Sequence, residues 1–188
     1  GFSISAAPRA PLTRLSMPDT VKNMTGTVKL ALALVLALSS AALAGVIEDG
    51  RKMESDGRLT EARTLYEAHL KSSPDDLAVK VRLIHVLIDS KELSAAETAV
   101  NAGLARVPED APLLNELGRL RFVQGRFTEA VAAFRASGDR DPKFSDAAYN
   151  LGVALQQAGK EDEARDAYRR ALDLNPRFTK ALNGLAVL

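Results

Sequence analysis

The sequence predicts an all-α protein, an α-solenoid in which pairs of antiparallel helices repeat along the chain. Three observations support this fold class. The 188 residues are 46% hydrophobic but only 5% aromatic, with no tryptophan, a composition typical of closely packed helices rich in alanine and leucine. Small and apolar residues recur with a period of 34 residues. Glycine and proline interrupt the chain at fixed places within each period, where helices are expected to end.

Four consecutive units of equal length carry the pattern: 43–76, 77–110, 111–144 and 145–178. Every unit has an alanine at one place and a proline at another, and three of the four share a glycine. These residues are Ala62, Ala96, Ala130 and Ala164; Pro74, Pro108, Pro142 and Pro176; and Gly57, Gly125 and Gly159, with Lys91 at the glycine place of the second unit. Four residues after each alanine comes Tyr66, Val100, Phe134 or Tyr168.

Each recurring residue has a physical reason to be where it is. The glycine ends a first helix in a left-handed conformation that costs it nothing. The alanine lets two helices approach closely, the large side chain one turn later fills the space beside it, and the proline stops the second helix. Good N-cap residues are expected to begin the second helices at Thr60, Ser94, Thr128 and Asp162, and the first helices at Asp76, Asp110, Ser145 and Thr179.

This pattern resembles the tetratricopeptide repeat, in which Leu-Gly, Ala, an aromatic residue and Pro are spaced in the same way over 34 residues. The match covers 43–178 and is most complete in the last two units, where Leu117-Gly118 and Leu151-Gly152 are present. The tryptophan of the family signature is absent; Val46, Lys80, Leu114 and Ala148 occupy its place. The resemblance implies a right-handed superhelix whose first helices line a concave groove. Residues 179–188 would begin a partial fifth repeat or form a terminal helix.

The N-terminal part of the chain is predicted to be a targeting segment and not part of the folded repeat array. Residues 24–44 run from Met24 through Lys29 and an apolar stretch to Ala42-Leu43-Ala44, which is the pattern of a cleaved signal peptide. Retention of this segment as a membrane anchor is the alternative. Residues 1–23 have no hydrophobic periodicity, and we expect them to be disordered and to lie upstream of the natural start at Met24. The protein is therefore expected to be exported and periplasmic, or else anchored in the inner membrane.

The composition and the motifs argue against several kinds of catalytic and metal-binding site. The chain has no cysteine, so it can form no disulfide, thiolate metal site or lipoprotein anchor, and its two histidines are too few for a metal site without several carboxylates. No phosphate-binding glycine loop or serine nucleophile motif is present. Residues 45–188 carry a net charge of −2, because four of the 25 basic residues and one of the 24 acidic residues precede them. We therefore expect no enzyme, no cofactor, no metal and no nucleic-acid partner.

The residues expected to hold a partner follow from the family resemblance. In proteins of this kind, defined positions of the first helices face the ligand. Here the arginine and asparagine side chains would grip a peptide backbone or carboxylate, and the aromatic ones would accept apolar side chains. The full Lys/Asn set with which some relatives hold a C-terminal carboxylate is not reproduced. The expected partner-binding residues are Arg51, Arg82, His85, Asn115, Arg119, Phe122, Tyr149, Asn150, Val153 and Gln156.

The predicted function is a non-enzymatic adaptor that binds a peptide or helix of a partner protein in the concave groove. An exported protein of this type resembles bacterial assembly factors of the cell envelope, including the pilus-assembly and secretion proteins with tetratricopeptide repeats. One alternative is a structural protein that assembles with copies of itself through the C-terminal edge, where the chain ends in Leu-Ala-Val-Leu. A second alternative is the targeting module of a longer enzyme.

Overall fold

The computed structural model describes residues 45–188, and within that range it is built of helices without a β-strand. The all-α prediction is confirmed. Nine helices follow one another in this part of the chain: α1 over 45–55, α2 Leu59–Ser72, α3 Leu77–Asp89, α4 Leu93–Arg106, α5 Ala111–Val123, α6 Phe127–Arg140, α7 Ser145–Gln157, α8 Glu161–Leu174 and α9 Thr179–Val187. The pairs α1/α2, α3/α4, α5/α6 and α7/α8 are each joined by a short turn.

The turn between the two helices of a pair has the same backbone conformation in all four pairs. Gly57, Gly125 and Gly159 have φ angles of 74°, 75° and 74°, so each ends a first helix in the left-handed conformation, as predicted. The N–H of Gly57 donates to the carbonyl of Glu54 at 3.0 Å, and the N–H of the next residue, Arg58, donates to the carbonyl of Met53 at 2.8 Å. These two bonds form a Schellman motif, which satisfies carbonyls at the helix end.

Lys91 adopts this left-handed conformation although it is not a glycine. Its φ angle is 63°, and it is the one non-glycine residue with positive φ among the described residues. Its N–H donates to the carbonyl of Ile88 at 3.0 Å, which is the same bond that the three glycines make. The turn is therefore imposed by the repeat rather than by the residue, and Lys91 occupies a backbone conformation that disfavours a side chain.

The recurring alanines and aromatic residues form the core of the stack. Ala62, Ala96, Ala130 and Ala164 are all 0% exposed. The aromatic rings lie on glycines of the first helices: a Cβ added at Gly118 would stand 2.5 Å from Phe134, and one at Gly152 would stand 2.6 Å from Tyr168. In the second pair both partners change, because Ile84 replaces the glycine and the smaller Val100 replaces the ring, and both are buried. The larger side chain of Ile84 on the first helix therefore fills the space that the smaller Val100 leaves on the second helix.

The predicted caps of the second helices are wrong. These helices begin two residues earlier than expected, and their N-cap residues are Arg58, Glu92, Arg126 and Lys160, none with a side-chain cap bond. The reason is that each Schellman turn leads directly into the next helix. The residues expected to be caps therefore lie within or at the edge of the first turn.

Two of the four N-cap residues predicted for the first helices are confirmed. The carboxylate of Asp76 accepts from the N–H of Val79 at 3.1 Å, and that of Asp110 accepts from the N–H of Leu113 at 2.9 Å, as predicted. In the last two first helices the N-cap residues are Phe144 and Phe178 instead of Ser145 and Thr179. The repeat places an aromatic ring where a capping side chain would stand.

The predicted leader lies outside the described residues, as do both the signal peptide and the membrane anchor proposed for 24–44. Among residues 45–188, no helix has the length and apolar character that a membrane span requires.

Candidate protein-binding groove

The first helices of successive pairs line one elongated groove. Its volume is about 640 Å³, and every lining residue lies on α1, α3, α5 or α7, at the start of α9, or at the caps of these last two helices. The expectation that first helices form this surface is confirmed. Seven of the ten expected partner-binding residues line it: Arg51, Arg82, His85, Asn115, Arg119, Tyr149 and Asn150. Their role in binding stays a prediction.

The other three expected residues lie away from the groove floor. Phe122 and Val153 line a neighbouring cavity of about 220 Å³, which Arg119 and Tyr149 also border. Gln156 lines neither cavity. Its side-chain carbonyl accepts a hydrogen bond from the hydroxyl of Tyr168 at 2.9 Å, so it ties the first helix α7 to the second helix α8 of the same pair.

A network of charges spans the N-terminal half of the groove. Arg82 on α3 binds the carboxylate of Glu54 on α1 through two donors. On the other side, Arg119 on α5 donates to Glu116 at 2.7 Å and to Asp89 on α3 at 2.6 Å. Each arginine therefore joins a first helix to the first helix of the preceding repeat.

His85 lies between the two arginines and is surrounded by carboxylates. Its Nδ1 atom is 3.3 Å from Oε1 of Glu116, and its Nε2 atom is 3.6 Å from Asp89 and 3.9 Å from Glu54. The carboxyl of Glu116 is almost completely buried. Burial by itself would raise the pKa of Glu116, but the hydrogen bond to His85 and the positive charge of Arg119 outweigh it and hold that pKa below its usual value.

These contacts change the role expected of the two arginines. From the sequence, Arg82 and Arg119 are predicted to offer free planar donors to a ligand carboxylate. In the structure both guanidinium groups are already bound to carboxylates of the protein itself. A ligand carboxylate would therefore have to displace Glu54, Asp89 or Glu116, and the network serves to fix the first helices relative to one another.

The C-terminal half of the groove contains aromatic side chains beside two charged ones, Asp146 and Lys180. The rings of Tyr149 and Phe178 have centroids 5.1 Å apart, and Tyr149 is also 5.9 Å from Tyr168. Phe144 lines the same end. Partial burial raises the pKa of the Tyr149 phenol, so the ring stays uncharged at all ordinary pH values. Rings at such distances offer a flat, apolar surface for a side chain of a ligand.

A pair of amides connects the two halves. Nδ2 of Asn150 on α7 donates to Oδ1 of Asn115 on α5 at 2.9 Å. Nδ2 of Asn115 in turn contacts Oε1 of Glu116 at 3.4 Å. Asn115 is only 4% exposed and both its amide oxygen and its amide nitrogen have partners within the protein. Asn150 is half-buried and is therefore the amide of this pair that is suited to a peptide group of an extended chain.

Sequence reasoning missed two features of the groove. It did not foresee that Glu54, Asp89 and Glu116 bind the two arginines, because that depends on side-chain conformations. It also missed Phe144 and Phe178. The sequence did contain an indication of these two residues, because they are one 34-residue period apart and so occupy the same place in successive repeats.

No cluster of histidine and carboxylate residues within 45–188 has the arrangement of a metal site. His69 on α2 has Nε2 at 2.9 Å from the carboxylate of Asp76. That pair joins α2 to the cap of α3.

Comparison with known families agrees with this architecture. Two models described as tetratricopeptide repeats match the chain, one over residues 55–119 and the other over residues 115–177 and 149–188. Together they span more than half of the 188 residues. The chain belongs to the tetratricopeptide repeat family. No curated protein matches it in sequence.

Solved structures of tetratricopeptide repeat proteins have the same fold. A thermophilic member from Thermus thermophilus is 19% identical and superposes with a TM-score of 0.69, covering 77% of this chain and 79% of that one. PilF of Pseudomonas aeruginosa is 22% identical, with a TM-score of 0.65 and coverage of 79% and 68%. MamA of Desulfovibrio magneticus RS-1 is 20% identical, with a TM-score of 0.55 and coverage of 71% and 75%. At these identities the likeness shows the fold alone.

Proposed function

We propose that this tetratricopeptide repeat protein is a non-enzymatic scaffold that holds an extended segment of a partner protein in the groove. The observation that carries the proposal is the groove itself, a cavity of about 640 Å³ open along the first helices and lined by residues of α1, α3, α5, α7 and α9 or their caps. Tetratricopeptide repeats generally bind protein partners. An elongated surface of this kind fits a chain better than it fits a compact small molecule.

The two halves of the groove are proposed to contribute differently. The aromatic end at Tyr149 and Phe178 would take up an apolar side chain, and the amide of Asn150, held in place by buried Asn115, would bind the backbone beside it. The charged half would act as a rigid wall, because Arg82 and Arg119 are engaged within the protein. We therefore expect the ligand segment to carry an apolar or aromatic residue and no strong excess of acidic residues.

The test is a selection of short random peptides displayed on phage against the full chain, followed by affinity measurements on variants. Asp146 is exposed on the groove wall, and Asp146→Arg would place a large side chain there without touching the core. Asp166→Arg is the matched control, because Asp166 is an exposed acid on α8 outside the groove. We expect the selected peptides to bind Asp146→Arg at least about tenfold more weakly and Asp166→Arg normally.

Tyr149→Ala gives a second, independent readout. It removes the ring at the aromatic end, so it should weaken peptides with an aromatic or large apolar residue more than the others. Circular dichroism of each variant checks that the fold is kept. Equal affinity of wild type, Asp146→Arg and Tyr149→Ala would exclude the groove as the binding site.

The cellular role is proposed by analogy. PilF of Pseudomonas aeruginosa shares the fold, and the segment 24–44 has the pattern of a signal peptide. We propose that the protein acts in assembly of the cell envelope or in secretion, in the periplasm or at the inner membrane.

Self-association is a second candidate function, favoured by the last helix. On α9, Leu182 is 49% exposed and Val187 is 76% exposed, and Leu174 at the end of α8 is 36% exposed. Sedimentation of the full chain with Leu182→Lys and Val187→Lys tests it. Loss of a dimer in these variants would support self-assembly, whereas a monomeric wild type at tens of micromolar would exclude it.

A further inference from the structure

A second cavity lies on the side of the stack between the first and third helix pairs. Its volume is about 390 Å³, and residues of α2, α3, α4 and α5 or of their caps form its walls. The walls are aliphatic: Leu70, Leu77, Leu83, Ile84, Ala99, Ala102, Gly103, Val107 and Leu113. We call this cavity the aliphatic crevice. It reaches the core, because Ile84 is 1% exposed and Leu113 is 0% exposed.

The crevice is much larger than the equivalent space at another place in the array. Two repeats further along, the equivalent space between α6, α7 and α8 has a volume of only about 50 Å³. There Arg170 stands where the crevice has Ala102, whereas Gly138 and Ala148 stand where it has Leu70 and Lys80. The repeat as such therefore does not require an opening of this size, and Ala102 is one position at which the crevice has the smaller side chain.

The polar groups of the crevice are confined to its mouth. Arg106 donates to the carboxylate of Asp75 at 2.6 Å, and Nζ of Lys80 lies 4.0 Å from the same carboxylate oxygen. Two cations face one anion, so the mouth carries a net positive charge. Arg106 and Asp75 are both more than half exposed. An exposed ion pair of this kind contributes little stability and is readily exchanged.

We propose that the aliphatic crevice binds a medium-length alkyl carboxylate, with its chain among the aliphatic walls and its carboxylate at Arg106 and Lys80. A cavity of a few hundred Å³ with apolar walls and a few polar groups at one end is the usual form of a small-molecule site. The walls contain no aromatic residue, which favours an alkyl chain over a planar ring. The side chain of Asp75 already presents a carboxylate to Arg106, so the geometry accepts the proposed head group. This site is separate from the groove and does not depend on the function proposed for it.

The direct test is calorimetric titration of the full chain with decanoate below its micelle concentration. Decyltrimethylammonium is the matched control, since it has the same alkyl chain and the opposite charge. We expect saturable one-site binding of decanoate and much weaker binding of the cation. Absence of saturable decanoate binding, or equal binding of both amphiphiles, would overturn the proposal.

Two substitutions locate the site. Ala102→Phe would fill the crevice and should abolish decanoate binding. Ala105→Phe is its control, since Ala105 is an exposed alanine on the same helix and does not line the crevice. Circular dichroism melting confirms that both variants fold. Unchanged decanoate affinity in a folded Ala102→Phe would place the binding elsewhere and overturn the proposal.

Two further substitutions test the head-group site. Asp75→Asn removes the competing carboxylate and should tighten decanoate binding about two- to fivefold. Arg106→Met removes the main cation and should weaken it about tenfold. Neither change would alter affinity if the ligand were held by the walls alone. Tight binding of an acidic helical peptide together with no decanoate binding would assign the crevice to a protein partner instead.

Discussion

The ring of Phe134 lies directly against Gly118, and a Cβ added at that glycine would stand 2.5 Å from the nearest ring carbon. The same contact recurs between Tyr168 and Gly152, and between Tyr66 and Gly50. Each joins the first and second helix of one pair. The close approach of the paired helices therefore depends on the glycine, which has no side chain, as much as on the buried ring.

Gly118→Ala should destabilise the protein by about 1–3 kcal/mol, because the ring of Phe134 is held in the core and cannot move aside freely. Gly138→Ala is the control within α6, since nothing stands within 4 Å of a Cβ added there. That change should be neutral or stabilise by up to about 1 kcal/mol. Urea denaturation measures both. Equal effects at the two glycines would contradict the packing described.

Lys91→Gly should stabilise the protein by roughly 1 kcal/mol, because a glycine adopts the left-handed conformation of this residue without a steric penalty. Lys52→Gly removes a lysine from the exposed surface of α1, where glycine should instead destabilise by about 1 kcal/mol. Thermal unfolding of the two variants distinguishes them. A fall in melting temperature for Lys91→Gly would mean that its side chain contributes more than its backbone conformation costs.

Glu116 should make stability depend on pH in the acid range. The pKa of its carboxyl is lower in the folded protein than in the unfolded chain, since the contacts with His85 and Arg119 outweigh the effect of burial. The charged carboxylate therefore stabilises the fold above its unfolded pKa, and this contribution is lost as pH falls through the folded pKa. Glu116→Gln should reduce the free energy of unfolding at pH 7 by about 1.5–3 kcal/mol.

The same variant should lose less stability than wild type when the pH is lowered from 7 to 3. Glu161→Gln, at an exposed position at the start of α8, is the control and should leave the acid dependence nearly unchanged. An identical pH dependence of unfolding in wild type and Glu116→Gln would show that the buried carboxylate does not titrate as described.

Residues 24–44 should direct export. Fused to a reporter enzyme that is active only outside the cytoplasm, this segment should give activity, and N-terminal sequencing should find cleavage after Ala44. Activity without cleavage would favour the membrane anchor instead. Lack of activity, in a fusion that is present at normal levels, would contradict the proposed localisation.

The repeated residues explain why the fold could be predicted from the sequence. Ala130 and Gly125 have local roles, one a close helix contact and the other a left-handed turn, and each role recurs after 34 residues. The caps were predicted less well. Ser145 looks like a cap by residue type alone, whereas the repeat places Phe144 at that position. Local propensity was overruled there by the register of the array.

For the groove, the sequence could predict which residues lie on its surface but not the contacts that these residues make with one another. The sequence placed Arg82 and Arg119 on it correctly, but their pairing with Glu54 and Asp89 joins residues about 30 apart through side-chain conformations. The aliphatic crevice was not foreseen at all. Its size depends on how the walls of several helices come together, and a small residue such as Ala102 on an exposed helix face gives no signal by itself.

The most direct test of the central claim is photo-crosslinking between the full chain and a peptide selected for binding to it. A benzophenone amino acid replaces Asp146 on the groove wall in one variant and Asp166 on α8 in the other. If the groove holds the peptide, the adduct forms at position 146 and not at position 166. An adduct at position 166, or equal yields at both positions, would contradict the claim that the first helices form the binding surface.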